Sequence, residues 1–472
     1  MAAAVAPAHT VGQHDTTAAI VLAAGQGTRF RSDLAKVLHR AAGRSLIRHV
    51  LEAVRPLGLG QVIVVVGHQA TEVRAEVESA GLAGLTTVLQ ADQRGTGHAV
   101  QQAVPVLDDH IRQIMVLPGD TPLLAPATLD ALLDASAGHA GAMLTAELVD
   151  PAGYGRVIRD PAGTVVAVVE DRDATVEQKA IREINAGMYA IHRDPLLEAL
   201  GHLDDDNDQG EVYLTDVVEI IAAAGGRMTA LVASGDEIAG VNDRRQLADA
   251  AAVLRRRHLD DLMVGVGVSV VDPASTHVDV DVQVGRDSVL MPGTILDGGT
   301  RVGERTVVGP NSHLTGCDVD DGATIHSTRA VDATIGPGAT VGPFAHLRAG
   351  THLGPRTKAG AFVETKNATF AEGAKAAHLT YVGDATIGRA VNVGCGVVVV
   401  NYDGSHKHHT EVEDGAFVGS GTMLIAPVTI GGGAYVAAGS TITDDVPADA
   451  LAIGRARQVN KEGWATRRRE QG

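Results

Sequence analysis

The sequence predicts two folds in one chain: a doubly wound α/β domain, then a parallel β-helix of hexapeptide repeats, with a helix between them. Three observations carry this. Apolar runs alternate with helical patterns from Ala18 to about residue 140. The stretch "NDRRQLADAAAVLRRRHLDDLMV" reads as one helix. Beyond Val264 aliphatic residues return at every sixth position, a poor match to helical periodicity and the signature of a β-helix.

In the first half, "AAIVLAAG", "QVIVVVG" and "QIMVLPGD" read as buried strands, and "SLIRHVLEAV" and "TEVRAEVESA" as helices. Alternation of this kind indicates parallel strands with crossover helices, a Rossmann-like arrangement. The α/β portion is expected to continue to about Gly240.

In the second half Val278, Val284, Leu290, Leu296, Val302, Val308 and Leu314 keep the beat without a miss. It re-phases as Ile335, Val341, Leu347 and Leu353, and returns as Val412, Val418, Leu424, Ile430, Val436 and Ile442. Small residues after the aliphatic, such as Gly285, Gly303 and Gly431, relieve crowding at corners. Roughly 180 residues at about 18 per coil give on the order of ten coils, or roughly 48 Å of prism at about 4.8 Å per strand.

The expected divisions are 1–16 as a disordered tail, 17–245 as the α/β domain, 246–263 as the connecting helix, 264–456 as the β-helix and 457–472 as a second tail. Length alone calls for two or three domains, since 472 residues exceed one ordinary core. Hydrophobic content of 45% with 20% charge describes a soluble protein, and an aromatic content of 3% means cores of Val, Ile, Leu and Ala. The net charge of −18 argues against nucleic acid or an anionic membrane as partner. It leaves anionic small molecules open, because a few local cations suffice to hold a phosphate. Two distant cysteines, Cys317 and Cys395, argue for a reducing compartment, and no apolar run reaches membrane-spanning length, so a cytoplasmic location is expected.

"LAAGQGTRF" follows the first strand directly. It is neither a Walker loop nor the full dinucleotide fingerprint, but its glycines allow close backbone approach and its amides suit an anion. Arg29 and Lys36 add positive charge nearby. "LQADQRGTGHAVQ" supplies Gln90 and a second turn at Gly95, and "LPGDTPLL" places Asp120 just past another strand. In a doubly wound sheet ligands sit at the carboxyl ends of the strands, so these elements should converge. Asp120 there suits magnesium held against a triphosphate.

These segments, with "YGRVI", "VEDRDA", "EINAGMY" and "GVNDR" in the same order, resemble the sugar-1-phosphate nucleotidylyltransferases. The resemblance implies that Leu22, Ala23, Ala24, Gly25, Gln90, Gly95 and Thr96 contact the nucleotide, and that Arg29 and Lys36 neutralise the triphosphate as catalytic residues. It gives Gly155, Glu170 and Asn185 to the amino sugar, and Asp120 with Asn242 to Mg²⁺. Two residues depart from the family pattern: Ala35 stands where Pro is usual, and Pro118 where a hydroxyl residue is common.

The β-helix carries polar residues that a scaffold does not need. Arg348, Glu364, Lys366, His378, Tyr381 and Asn392 fall within one short section, and the beat of Ile387, Val393 and Val399 then breaks at "NYDGSHKHH". "HLTYVGDATIGRAVNVG" and "NYDGSHKHHT" resemble the acetyltransferase half of the bifunctional GlmU family of UDP-N-acetylglucosamine synthesis, and the likeness runs from about Ala18 to Arg455. It implies a left-handed β-helix, a homotrimer, and acetyl-CoA bound between neighbouring prisms. His378 then resembles the general base acting on the amine of glucosamine-1-phosphate, with Glu364 orienting it. Arg348 and Lys366 match substrate-phosphate contacts, and Tyr381, Asn392 and Asn401 sugar contacts. Cys395, Asn401, Tyr402, Ser420, Ala438 and Arg455 match acetyl-CoA positions, Cys395 through its backbone N–H where Ala is usual. Lys407 lies in the excursion, expected to cover a neighbour's cleft.

The expected activity is therefore acetylation of glucosamine-1-phosphate by acetyl-CoA, followed by transfer of UMP from UTP to N-acetylglucosamine-1-phosphate. Three other readings are a uridylyltransferase whose β-helix only oligomerises or binds a regulator, a purely structural trimer, and a zinc site built on "HKHH" with His346 and His378.

Overall fold

A computed structural model describes residues 14–472, and the chain divides into two compact units, 1–254 and 255–472. The expected N-terminal tail lies mostly outside the described residues, but the strand His14–Ala23 takes in its last three positions. The helix Arg244–Asp260, continued by a π-helical turn at Asp261–Val266, spans the division.

The first unit is built on a nine-stranded sheet. His14–Ala23 lies between two parallel neighbours, Leu59–Val66 and Gln113–Pro118, and Leu85–Leu89 pairs parallel at the edge. Ala18, Ala19, Ile20 and Val21 are fully buried, as expected for a strand covered on both faces. From His14–Ala23 the chain winds to one side of the sheet, then crosses to the other. The carboxyl ends of His14–Ala23 and Gln113–Pro118 therefore flank a topological switch point.

The sheet then changes direction. Glu183–His192 runs antiparallel to both Gln113–Pro118 and Gly141–Glu147, so the second half of the unit is mixed. Pro118 ends its strand without breaking the ladder: Gly119 N–H donates to Leu22 O at 2.8 Å, and the antiparallel neighbour pairs only as far as Val116 with Tyr189.

The second unit is the expected parallel β-helix. Its strands stack in parallel in two sheets of eleven and seventeen. Val278 pairs with Leu296, and Leu290 with Val308, so successive coils superpose the sixfold beat. The inward aliphatics form one continuous core, with Val278, Leu290, Leu296, Val308, Leu314, Ile335, Val341 and Leu347 fully buried. Each such side chain contributes about 1.5–3 kcal/mol. Small hydroxyl residues two positions before the aliphatics bind coil to coil. Thr294 Oγ1 donates to Met291 O and Val308 O, and Thr300 Oγ1 to Asp297 O and Leu314 O.

Between Leu314 and Ile335 the rhythm is shortened, not lost. Val319, Ile325 and Ala330 still point inward, and Leu314 pairs with Ala330. Near the end the opposite happens. Ile387 pairs with Val412, and the extra residues leave the prism between Val400 and Thr410.

Candidate functional sites

The first site is a cavity of about 490 Å³ at the switch point of the α/β sheet. Leu22, Ala23, Ala24, Gly25, Lys36, Gln90, Gly95, Thr96, Asp120, Glu170 and Asn185 line it. Three candidates, Arg29, Gly155 and Asn242, lie outside the lining. Gly155 backs it, its carbonyl accepting from Asn185 N–H at 2.9 Å. Asn242 reaches it through the cations: its Oδ1 accepts from Lys36 Nζ and from Arg29 Nη2, each at 2.9 Å.

Lys36 also pairs with Asp120 Oδ2, so a carboxylate and an amide oxygen converge on one ammonium. The glycine-rich loop meets this lysine closely: a Cβ added at Gly27 would lie 2.5 Å from Lys36 Cβ, at a φ of +65°. Asn185 is fixed from both sides. Its Nδ2 donates to Tyr189 Oη at 2.7 Å, and its Oδ1 accepts from Gly187 N–H at 3.0 Å.

Burial pushes the Glu170 carboxyl up, and Asp173, Asp171 and Glu211 add to this against the Thr215 hydroxyl donating to it. Tyr189, Glu211, Leu214 and Thr215 line the cavity but were not singled out by sequence reasoning. Tyr189 had a signal. Asn185, Gly187 and Tyr189 are alternate residues of one strand, the spacing that puts side chains on one face.

The second site lies on the β-helix. Glu364 pairs in register with Tyr381, and Lys366 with Gly383. Arg348 Nη1 donates to Glu364 Oε1 at 3.0 Å, so Glu364 is bound to Arg348 and not to His378. His378 ends the strand Lys375–His378, whose Lys375 pairs with Asn392. Its ring is exposed, with no hydrogen-bond partner among the described residues. Tyr381 Oη and Asn401 Nδ2 both crowd Gly383, which has no room for a Cβ.

The excursion Asn401–Thr410 is internally braced. Asp403 Oδ1 accepts from the N–H groups of Ser405 and His406, each at 2.7 Å, and Asp403 Oδ2 bonds His408 Nε2 at 2.7 Å. These contacts hold the Asp403 carboxyl well below the ordinary range. The excursion brings Lys407 to Lys366 of the same chain, and this neighbour lowers the Lys366 ammonium from its usual value, with Arg348 adding to the effect. Asp384, missed by the sequence reading, accepts from Asn367 Nδ2 at 2.7 Å and from Asn401 Nδ2. Burial pulls its carboxyl up, but those amides with Lys407 and Lys366 leave it lowered.

Cys395, Ser420, Ala438 and Arg455 climb one exposed edge. Gly421 N–H donates to Cys395 O at 2.7 Å and Gly439 N–H to Ser420 O at 2.8 Å. The Cys395 N–H itself finds no acceptor among the described residues. Tyr402 stands in the excursion, its Oη donating to Gly404 O. Among the described residues no group of three or more His, Cys, Asp or Glu is arranged to hold a metal ion. No helix among them is long and apolar enough to cross a membrane.

A nucleotide-scale cavity at a switch point and a separate polar cluster on a parallel β-helix define a transferase with two sites. Residues 19–216 match the family model of the MobA-like NTP transferase domain. The chain is 49% identical to the bifunctional protein GlmU of Corynebacterium glutamicum strain R over 460 residues, covering 96% of this chain and 95% of that one. It is 50% identical to that of Streptomyces avermitilis over 457 residues, covering 96% and 94%. It is 47% identical to that of Geobacillus sp. strain WCH70 over 452 residues, covering 95% and 97%. The chain belongs to the GlmU family. It is a bifunctional enzyme of UDP-N-acetylglucosamine synthesis, N-acetylglucosamine-1-phosphate uridylyltransferase and glucosamine-1-phosphate acetyltransferase in one chain.

Proposed function

We propose that the two reactions divide between the two sites residue by residue. In the α/β cavity the phosphate of N-acetylglucosamine-1-phosphate attacks the α-phosphorus of UTP, and pyrophosphate leaves. Both reactants are anionic, so the protein must align them and neutralise charge. Leu22 to Gly25, Gln90, Gly95 and Thr96 hold the nucleotide, and Gly155, Glu170 and Asn185 the amino sugar. Arg29 and Lys36 spread the charge of the triphosphate. The observation that carries this reading is the convergence of Asp120 Oδ2 and Asn242 Oδ1 on the Lys36 ammonium beside the glycine-rich loop.

The same two oxygens fit Mg²⁺, which takes few protein oxygens and leaves its other positions to water and phosphate. When bound, magnesium supplies further screening of phosphate charge. With Asp120 and Asn242 holding the ion, Lys36 and Arg29 would be free to donate to the triphosphate in place of Asn242.

On the β-helix, His378 accepts a proton from the ammonium of glucosamine-1-phosphate, and the free amine attacks the acetyl thioester. The C–S bond then breaks, and CoA leaves as the thiol with the proton that the new amide nitrogen sheds. A base of this kind contributes about 10²–10⁴-fold. Arg348 and Lys366 hold the substrate phosphate, with Lys407 as a third cation; the mutual repulsion of Lys366 and Lys407 is relieved by a bound dianion. Tyr381 and Asn392 contact the sugar. The Cys395 N–H stabilises the oxyanion, and Asn401, Tyr402, Ser420, Ala438 and Arg455 hold acetyl-CoA.

The functional unit we propose is a cytoplasmic homotrimer, with acetyl-CoA between prisms. Supporting this, Phe344, Phe362 and Leu379 are 60%, 56% and 59% exposed beside the His378 corner, an apolar edge suited to self-association. Incubation with glucosamine-1-phosphate, acetyl-CoA, UTP and Mg²⁺, omitting each in turn, tests the scheme. Chains carrying His378→Ala and Arg455→Ala, each inactive in acetyl transfer alone, should regain it when reassembled together. Mixed assemblies that stay inactive count against a site shared between chains.

A further inference from the structure

Ala35 immediately precedes Lys36 and is buried, 1% exposed. Its φ of −54° lies in the range to which a proline ring would lock it, with ψ extended at 137°, yet no ring is present. A hydrogen bond takes the ring's place. Ala35 N–H donates to Gln69 Oε1 at 2.7 Å, and Gln69 Nε2 donates to Asp33 O. One carboxamide thus grips the chain on both sides of Leu34, just before Lys36 opens the turn Lys36–Leu38.

Gln69 is held in an unfavourable backbone conformation while doing this. It lies at φ 50° and ψ 45°, the left-handed region that disfavours side-chain-bearing residues, immediately before the helix Ala70–Glu78. Its side chain caps no helix N–H. A glycine would occupy this position without strain, but would offer no grip on Ala35.

We propose that Gln69 is a positioning residue for uridylyl transfer: it fixes the Asp33–Ala35 segment so that the Lys36 ammonium reaches Asp120 and the triphosphate. This rests on the role assigned to Lys36 above. Gln69 touches neither substrate nor reacting atoms; it acts through Lys36.

Gln69→Gly separates this role from a structural one, because it relieves backbone strain while removing the clamp. The full-length variant should melt no lower than the parent and keep its acetyl transfer, while the uridylyl kcat falls about tenfold. Adding Ala35→Pro should restore that kcat to within about threefold of the parent, since the ring sets φ and needs no acceptor. Lys36→Ala is assayed alongside. An unchanged uridylyl kcat in Gln69→Gly, no recovery with Ala35→Pro, or a melting temperature that falls with kcat overturns the role of Gln69. If Lys36→Ala itself keeps full uridylyl transfer, the reading of Lys36 fails, and the positioning role fails with it.

Discussion

The Lys36 ammonium rests against the Asp120 carboxylate, closing the cavity where two central parallel strands end. Lys36 follows the strand His14–Ala23 by a loop, whereas Asp120 comes just after the strand Gln113–Pro118. Only the crossover that puts those strands side by side brings the two residues together. In the proposed scheme this pairing is the resting arrangement of a site that neutralises several phosphate charges.

Asp120→Asn keeps the shape but removes the charge that faces the cation. Uridylyl transfer should fall about 10²–10³-fold, the scale seen when one preorganised electrostatic group is lost. The Mg²⁺ concentration for half-maximal rate should rise, as read from pyrophosphate release against magnesium. A variant with parental magnesium dependence would remove Asp120 from the metal's surroundings.

The Cys395 N–H, not its thiol, is expected to act in acetyl transfer. Cys395→Ala should therefore keep CoA release within about twofold. Cys395→Pro, which removes the donor, should lower it about 10²–10³-fold. Loss of activity in Cys395→Ala would instead assign the chemistry to the sulfur.

Tyr189 is buried, and burial raises its hydroxyl well above the usual range, so it remains neutral and accepts from Asn185 Nδ2. Tyr189→Phe leaves a buried donor unpaired, at a cost of about 1–3 kcal/mol. The KM for N-acetylglucosamine-1-phosphate should rise about tenfold, with the KM for UTP little changed. An equal change in both would place Asn185 outside the sugar pocket.

Burial, with Asp204, Glu170, Glu219 and Asp173 nearby, pushes the Asp216 carboxyl up to about 6. A folded value above the unfolded one stabilises the protein in acid and is lost as pH rises through 6. The group is partly solvated, which reduces the effect to about 1 kcal/mol. Asp216→Asn should melt about 2–4 °C above the parent at pH 8 and level with it at pH 4. A gap independent of pH would show that the carboxyl carries no such penalty.

The β-helix was legible because its physics is one-dimensional. Each coil repeats one demand, an inward aliphatic, and Val278 through Leu314 are buried as that rule requires. Val319 and Ala330 escaped it because their coils are shorter and small residues let the chain cut its corners. The α/β unit was legible only in its first half, where strand and helix alternate. Glu183–His192 looks like any apolar run, and nothing local marks it as antiparallel. Candidate residues carried by loops were readable from glycine and charge. Neighbours supplied by distant packing, such as Asp384 bonded to Asn367 and Asn401, or Gln69 beside Ala35, were not.

A crossed assay of His378→Ala and Asp120→Ala, with CoA and pyrophosphate release measured from the same full-length samples, tests the division of labour directly. His378→Ala should lose CoA release while still forming UDP-N-acetylglucosamine from N-acetylglucosamine-1-phosphate and UTP. Asp120→Ala should do the reverse. Parental CoA release from His378→Ala, or loss of both products in either variant, would contradict two separate sites in one chain.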